Sequence, residues 1–227
     1  KVGLIDRSDL VNEVAQIIND NNGSSHVVMC DMEKFSGAED FVKEIEANLG
    51  KIDIVVNNIG GTIWTKPYEY YEADQIEAEI RRSLFPTLWS CRAVLPGMLE
   101  REAGVIVNIS SIATKGIHRA PYSAAKGGIN ALTVSLAFEY APYGIRVNAI
   151  ATGGTEAPPR KIPRNENKIS EQELQWNQEI VDQTISSSYM HRYGTIDEQV
   201  RAILFLASDE SSYVTGTILP VAGGDQG

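Results

Sequence analysis

The sequence has few cysteines, no long apolar run and fewer basic than acidic residues. Cys30 and Cys91 are its only cysteines, too few for a disulfide framework, so both are expected to be buried free thiols. No apolar run reaches the roughly 18 residues that indicate a membrane-spanning helix. With 20 Lys and Arg against 30 Asp and Glu, the formal net charge of −10 opposes binding to nucleic acid or to an anionic membrane. These shortages favour a globular cytoplasmic protein.

Short runs rich in Val and Ile alternate along the chain with amphipathic stretches. The 227 residues, 43% of them hydrophobic, are enough for one large domain with a sizeable core. The runs predict strands over 2–6, 26–31, 52–58, 104–110, 145–150 and 217–222. Nearly continuous apolar runs are typical of parallel strands that are covered on both faces. The alternation therefore predicts an α/β fold over residues 1–227, a single doubly wound domain of Rossmann type with a parallel sheet.

Amphipathic periodicity predicts the helices between these strands. One is expected over 8–19, with Ser8 as its N-cap, and another over 39–49. Residues 76–100 are also helical in pattern and unusually apolar, despite Pro86.

Residues 156–193 break the alternation with a Pro-rich, charged stretch followed by a helical one. A connection this long within a compact domain is usually functional or mobile. Arg160, Lys161 and Arg164 lie in it with no acid between them. They form either a solvated loop or a clamp for an anionic substrate, because arginine suits a carboxylate. His118 and Arg119, in the loop between Ser111 and Tyr122, are further candidates for that clamp, and the alternative for His118 is a surface loop residue.

A tyrosine and a lysine stand four residues apart in the small-residue stretch PYSAAKGG (121–128). On a helix, Tyr122 and Lys126 then lie side by side. A nearby ammonium favours the phenolate, so Lys126 is expected to lower the pKa of Tyr122 from about 10. A tyrosinate can take a proton from an alcohol while hydride leaves the same carbon. The same spacing of Tyr and Lys also occurs by chance in ordinary amphipathic helices, so the surrounding sequence has to show whether this pair is catalytic.

The strand predicted over 104–110 supplies that context. Its end carries Ser110 and Ser111, at the edge where open α/β sheets bind ligands. Ser111 lies 11 residues before Tyr122, and its hydroxyl can bond a reacting oxygen from the other side. Taken alone, a serine pair at a strand end is also ordinary turn chemistry.

Several separate segments, in order over essentially the whole chain, resemble the short-chain dehydrogenase/reductase family. They are IDRS (5–8), CDM (30–32), NNIGG (57–61), NISS (108–111), YSAAK (122–126), IRVNAIATGG (145–154) and FLASDESSYVTGTILPVAGG (205–224). One such match is weak evidence, whereas the ordered set is specific. The resemblance implies an oxidoreductase that acts on CH–OH groups.

The resemblance also implies the catalytic roles. Tyr122 is then the base, Ser111 orients the substrate oxygen, and Lys126 lowers the tyrosine pKa and bonds the nicotinamide ribose. The family often completes a proton relay with an asparagine on the helix after NNIGG. Ser83 stands at that position here, which leaves the relay open.

NAD is the expected cofactor. Asp6 ends the first predicted strand, where an acid binds the adenosine ribose hydroxyls and repels the 2′-phosphate of NADP. The adjacent Arg7 is the one residue that argues for tolerance of that phosphate. An Asp at the start of a helix is also explained by the helix dipole alone.

The remaining cofactor contacts follow from the resemblance. It implies that Asp31 and Met32 contact the adenine, and that Thr155 contacts the carboxamide. Asn58 is expected to tie neighbouring strands, and Gly60 to let the cofactor pass close to the backbone. Tyr122 and Lys126 complete this set.

The family opens with a strand, a turn of the form TGxxxGxG and a helix, and this sequence begins at what resembles the second strand. The opening strand is central in the order 3-2-1-4-5-6. We therefore expect about 30 residues, one strand–helix unit, before Lys1.

The pattern from GGTEAPPRKIPRN (153–165) onward resembles one subgroup, the benzoate cis-diol dehydrogenases. It implies NAD-dependent oxidation of 1,6-dihydroxycyclohexa-2,4-diene-1-carboxylate to catechol with loss of CO2, and no metal. Residues 156–193 are then the substrate lid, with His118, Arg160 and Arg164 as substrate contacts beside Ser111.

Two alternatives stay open. One is another alcohol dehydrogenase of the family, acting on a 3-oxoacyl thioester, a polyol or a plain dihydrodiol. The other is a non-catalytic dinucleotide-binding regulator, which the presence of both Tyr122 and Lys126 disfavours. By resemblance, the helix at 76–100 packs against its copy and the C-terminal strand helps to build a homotetramer, or the chain forms a dimer.

Overall fold

The computed structural model describes residues 1–165 and 169–227, so residues 166–168 of the expected lid lie outside the described residues. The strands are β1 (Val2–Asp6), β2 (Ser25–Met29), β3 (Ile54–Asn57), β4 (Gly104–Ser111), β5 (Ile145–Thr152), β6 (Thr155–Glu156), β7 (Gly194–Thr195) and β8 (Ile218–Val221). The helices are α1 (Val11–Asp20), α2 (Phe35–Leu49), α3 (Ala73–Ser83), α4 (Phe85–Glu100), α5 (Ala120–Tyr140), α6 (Glu171–Ser187) and α7 (Ile196–Ala207). This alternation confirms the predicted α/β Rossmann-type fold.

All the paired strands run parallel. The largest sheet has the order β3-β4-β5-β8, while β1 pairs with β2 and the short β6 pairs with β7. β1 and β3 do not pair with each other over the described residues, and both line a cavity of about 800 Å³. The expected strand–helix unit before Lys1 stays a prediction.

Two apolar clusters hold the central sheet between its helices. Successive residues of β4 point to opposite faces. Ile106 therefore packs with α2, α4 and α5, whereas Val107 packs with Leu206 of α7. Coverage on both faces explains the nearly continuous Val and Ile runs that predicted the strands. Within the described part of the chain, no helix is both long and apolar enough to cross a membrane.

The predicted start of the first helix is wrong. α1 begins at Val11, and its N-cap is Leu10 rather than Ser8. Ser8 instead closes the turn after β1. Its backbone N–H donates to Asp6 Oδ1 at 2.9 Å, and its Oγ accepts from the Leu10 N–H at 3.3 Å. A serine hydroxyl satisfies such turns as readily as it caps helices, so the sequence did not distinguish the two.

The single helix predicted over 76–100 is two helices that meet at Leu84. α3 ends at Ser83 and α4 begins at Phe85, which puts Pro86 in the first turn of α4. A proline lacks the N–H that a helix interior uses, whereas the first turn leaves that donor free. Pro86 therefore marks a new helix start instead of a residue tolerated within one helix.

Candidate active site

Tyr122 and Ser111 come together where the end of β4 meets the start of α5. Ser111 is the last residue of β4 and pairs in register with Thr152 of β5. Its Oγ accepts from the Ala113 N–H at 3.1 Å and donates to the Thr152 carbonyl at 3.4 Å, which fixes its position. The Ser111 side chain also lies close enough to the Tyr122 phenol to lower its pKa, and both line the same cavity. The structure thus joins the two side chains that the sequence placed at one reacting oxygen.

Lys126 lies one turn of α5 after Tyr122, as predicted. Its Nζ is 5.7 Å from the centroid of the Tyr122 ring and donates to the Ile109 carbonyl of β4 at 2.6 Å. The side chain is buried, with 5% of the residue exposed. Burial, followed by the positive charge of Arg164, lowers the pKa of Lys126 to about 8.

The pKa of Tyr122 is raised, which is the opposite of the expected direction. Burial penalises the phenolate and is the largest cause. The nearby Ser111 hydroxyl acts against it, as do the positive charges of Arg119 and Arg164. The lowering expected from Lys126 is thus not observed in this structure, because desolvation of the phenol outweighs its favourable contacts.

Ser83 is fully buried at the end of α3, and its hydroxyl accepts from the Gly61 N–H at 3.2 Å. Gly60 has φ of +140°, and a Cβ there would lie 3.3 Å from the Ser83 Cα. Such a conformation favours glycine. Ser83 therefore holds this glycine turn against α3, and its place in a proton relay stays a prediction.

Asn57, not Asn58, ties the neighbouring strands. Its side-chain amide is buried and donates to Asn108 Oδ1 of β4 at 2.9 Å. Asn58 is exposed, because successive strand residues point to opposite faces. The contact between strands was thus predicted at Asn58 but is made by Asn57. Asn58 lines the two cavities described below.

The cavity of about 800 Å³ brings together the residues predicted to hold a dinucleotide. Asp6, Asp31, Met32, Asn58 and Gly60 all line it. Asp6 is exposed at the end of β1, and Asp31 Oδ1 accepts from the Glu33 N–H at 3.1 Å. Met32 is buried, with 5% exposed, and belongs to the apolar cluster.

A second cavity, of about 900 Å³, lies on the Tyr122 side of the site. Tyr122, Ser111 and Thr155 line it, together with apolar side chains of α6 and α7. Thr155 begins β6, and its Oγ1 donates to the Gly153 carbonyl at 3.2 Å. The cavity thus carries the predicted catalytic pair at one wall, in contact with residues of the expected lid.

Of the three basic residues that the sequence analysis singled out in the lid, Arg160 and Arg164 line this second cavity. The Arg164 guanidinium donates to the Gly60 carbonyl at 3.1 Å and to the Thr62 carbonyl at 3.4 Å, and it also lines the first cavity. Burial, followed by the charge of Arg160, lowers the pKa of Arg164 to about 10. Arg160 is exposed, and Lys161 forms an ion pair with Glu13 of α1.

His118 contacts α6 rather than the cavity. Its Nε2 lies 2.6 Å from Glu179 Oε2, and its ring centroid is 6.2 Å from that of Trp176. The residue adopts φ of +60° and is not among the described residues that line the second cavity. The structure therefore does not place this side chain with the expected substrate contacts. It ties the loop before α5 to the lid helix instead.

Glu79 is a site residue that the sequence reading missed. It is fully buried on α3, and its Oε1 accepts from the backbone N–H groups of Ile63 and Trp64 at 2.7 and 2.9 Å. Burial raises its pKa. The spacing of Ile76, Glu79 and Ser83 along one helix face was the signal that could have found it.

Comparison with known proteins agrees with this geometry. Residues 1–225 match the profile of a family described as "Enoyl-(Acyl carrier protein) reductase". The chain is 59% identical over 224 residues to the 1,6-dihydroxycyclohexa-2,4-diene-1-carboxylate dehydrogenase of Acinetobacter baylyi, covering 99% of this chain and 86% of that protein. It is 56% identical over 226 residues to a Pseudomonas putida protein of the same name, covering 99% and 82% respectively.

A solved structure extends the likeness to the fold. The crystal structure of an NAD+-bound xylitol dehydrogenase superposes with a TM-score of 0.85 at 27% sequence identity. The match covers 98% of this chain and 88% of that one.

Proposed function

The chain belongs to the short-chain dehydrogenase/reductase family, and from that premise we propose that it oxidises 1,6-dihydroxycyclohexa-2,4-diene-1-carboxylate with NAD⁺ in benzoate degradation. The final products are catechol and CO2. The observation that carries the proposal is the identity of 59% and 56%, over 99% of the chain, with two dehydrogenases named for this substrate. Tyr122 and Ser111, which line the same cavity, supply the chemistry.

The substrate fixes which carbon is oxidised. The carbon that bears the carboxylate has no hydrogen, so the hydride must leave the neighbouring hydroxylated carbon. NAD⁺, when bound, supplies the hydride acceptor. Tyr122, once it has lost its own proton, takes the proton of that hydroxyl as the carbonyl forms, and Ser111 holds the same oxygen from the second side.

Loss of CO2 follows from the ketone. It stands next to the carbon that bears the carboxylate, so the product is a β-keto acid. When the bond to the carboxylate breaks, its electron pair enters the ring as an enolate, and one proton then gives catechol. The ring becomes aromatic in this step, and no further catalytic group is needed.

Lys126 is assigned to the reaction through its position. Its ammonium lies beside the Tyr122 ring and is anchored at the Ile109 carbonyl, which holds a positive charge near the phenol. We infer that it bonds the nicotinamide ribose. Residues 1–227 then act as one catalytic domain, and 156–193 as the substrate lid, since Asn177 and Ile180 of α6 line the substrate cavity.

The residues around the first cavity fit NAD rather than NADP. Asp6 presents a carboxylate at the end of β1, where it repels a 2′-phosphate. The adjacent Arg7, which argued for tolerance of that phosphate, lies 3.5 Å from Glu33 Oε1. Glu33 thus partly neutralises the cation that would favour NADP.

The activity is tested by NADH absorbance with the carboxylated diene-diol and with a plain cis-dihydrodiol, each with NAD⁺ and with NADP⁺. We expect NAD⁺-dependent turnover that strongly prefers the carboxylated substrate, with catechol and CO2 in equal amounts. Equal turnover of both diols contradicts the proposed substrate and favours a broader dehydrogenase. A preference for NADP⁺ contradicts the role of Asp6.

We infer a homotetramer in the cytoplasm. α4, expected to supply the dimer contact, turns many of its apolar side chains into the chain's own core. Exposed apolar side chains are found instead on α5, at Val134 and Phe138, and on α7, at Leu204. The free thiols of Cys30, half-buried, and Cys91, buried, are consistent with a reducing compartment.

A further inference from the structure

Arg119 lines the substrate cavity beside Tyr122 and Ser111, and we propose that its guanidinium binds the carboxylate of the substrate. This assignment rests on the proposed function, because it names the residue of that same site which recognises the acid group. It moves recognition of the carboxylate from the lid to the loop before α5.

The Arg119 guanidinium has no anionic partner in residues 1–165 and 169–227. None of the ion pairs formed by these residues includes it. Its Nε is buried and makes no hydrogen bond. The group packs against Gly116, where a Cβ would lie 3.2 Å from Nε and 3.3 Å from Nη2. A buried cationic donor without a partner is costly, so a bound anion would relieve it.

The position of Arg119 in α5 adds to this cost. It is the N-cap of a 21-residue helix that has no acidic residue in its first turn. A cation at this end opposes the helix dipole, which favours an anion there. The neighbouring phenols of Tyr122, Tyr193 and Tyr71 are neutral near pH 7 and cannot balance the charge. Guanidinium and helix end thus present positive charge to the same cavity.

The chemistry of the substrate requires an anchor at this position. Its carboxylate is on the carbon next to the one that loses hydride, so the carboxylate must lie close to the oxygen held by Tyr122. Arg119 precedes Tyr122 by three residues at the start of α5, a spacing that puts both on one helix face. The guanidinium is also near enough to affect the pKa of the Tyr122 phenol.

The other candidate cations are less suited to this carboxylate. Arg164 donates to the carbonyls of Gly60 and Thr62, and Arg160 is exposed. His118 contacts Glu179 on α6.

The experiment compares Arg119→Met and Arg119→Lys with Arg201→Met, which removes an exposed arginine of α7 that lies outside both cavities. One readout is kcat/KM for the carboxylated diene-diol and for a plain cis-dihydrodiol. The other is the binding of sodium benzoate to the enzyme with NAD⁺, followed by the fluorescence of Trp64, which lines the cavity.

We expect Arg119→Met to lower kcat/KM for the carboxylated substrate at least about 100-fold and to weaken benzoate binding at least about tenfold. Turnover of the plain dihydrodiol falls by no more than about tenfold, because it loses only the charge that lowers the pKa of Tyr122, so the preference for the acid is reduced at least about tenfold. The kcat/KM of Arg119→Lys for the carboxylated substrate should lie between those of the wild type and Arg119→Met, because lysine keeps the charge but cannot form the two parallel hydrogen bonds of a guanidinium. Arg201→Met behaves as the wild type.

Equal losses on both diols, with the melting temperature and NAD⁺ binding unchanged, overturn the assignment, since Arg119 then only positions Tyr122. A selective loss in Arg160→Met or Arg164→Met and not in Arg119→Met overturns it as well. If Arg119→Met does not fold, the ratio of kcat/KM for the two substrates in Arg119→Lys tests the assignment in its place. If the wild type does not oxidise the carboxylated diol, the proposed function fails, while the benzoate titration still decides whether Arg119 binds a carboxylate.

Discussion

At the scale of single residues, the buried phenol of Tyr122 determines the chemistry available to the site. Burial raises its pKa, so the phenol is protonated at neutral pH, and the phenolate is a strong base once it forms. Ser111, Arg119 and Arg164 stabilise that phenolate. These neighbours oppose the burial penalty without overcoming it, so the phenol must lose its own proton before it can act as the base.

Replacing Tyr122 by Phe removes the proton acceptor and keeps the ring. We expect kcat to fall about 10²- to 10⁴-fold, with NAD⁺ binding unchanged, because general-base contributions are of this size. Steady-state kinetics and a calorimetric NAD⁺ titration measure the two effects. The matched control is Tyr143→Phe, an exposed phenol outside both cavities. Activity retained in Tyr122→Phe contradicts the role of this residue as base.

Lys126 gives a prediction about stability and pH. Its folded-state pKa of about 8 lies below the ordinary 10.5, so the unfolded chain binds more protons between these values. Stability contributed by this group therefore rises with pH across that window and is lowest below about pH 8. Lys126→Met should abolish turnover, raise the free energy of unfolding at pH 7 by about 1 kcal/mol, and remove this pH-dependent rise.

Denaturant unfolding of both proteins from pH 7 to pH 10.5 tests this, with the difference between them isolating Lys126 from other titrating groups. A variant that is less stable than the wild type at pH 7 contradicts the prediction, since it shows that the bond to the Ile109 carbonyl outweighs the buried charge.

At the scale of elements, the contact between His118 and Glu179 links the loop before α5 to the lid helix α6. That loop carries Arg119, and α5 carries Tyr122, so the position of the lid and that of the catalytic residues are connected. The strained φ of +60° at His118 is a local cost that this contact helps to offset.

Glu179→Gln keeps the shape of the side chain and removes its charge. We expect the substrate KM to rise about threefold to tenfold, a modest effect because the pair is partly exposed, while the KM for NAD⁺ and kcat stay unchanged. Initial-rate kinetics with each ligand varied separate these parameters, and Glu100→Gln at the end of α4 is the control. An equal rise in both KM values indicates a general loss of structure instead of a looser lid.

The elements show which parts of the structure could be predicted from the sequence. The main strands were predicted correctly because continuous runs of Val and Ile fit few structures other than strands covered on both faces. Tyr122 was found from its helical spacing to Lys126, and Ser111 from its position at the end of a strand. The start of α1 could not be predicted, because a serine side chain can accept a hydrogen bond from the backbone of a turn or from the first turn of a helix. A shift of the chain by a few ångströms decides between the two. β6 and β7 have two residues each, too short to show any periodicity. Arg119 was only one of several candidates for the clamp, because burial and missing partners, which single it out, are tertiary properties.

At the scale of the whole molecule, the exposed apolar side chains of α5 and α7 support self-association. Phe138 has 88% of its surface exposed, and Val134 lies four residues earlier on the same face. Large exposed apolar residues that are neighbours on one surface mark protein contacts more often than single ones do.

Phe138→Glu should convert the proposed tetramer into smaller species, because it would place a charge within the proposed contact. Size-exclusion chromatography with light scattering measures the mass, and Val14→Glu, the same change at an exposed apolar residue of α1, is the control. A tetramer that persists in Phe138→Glu, or a wild type that is monomeric, contradicts the inferred assembly.

Arg164 lines both cavities, and its charge also acts on Tyr122 and on Lys126. A shift of this one guanidinium would therefore change the charge presented to both cavities at once. Thermodynamic linkage then requires that, if the dinucleotide changes the affinity for the acid, the acid changes the affinity for the dinucleotide by the same factor. A single side chain thus links the two cavities within one subunit.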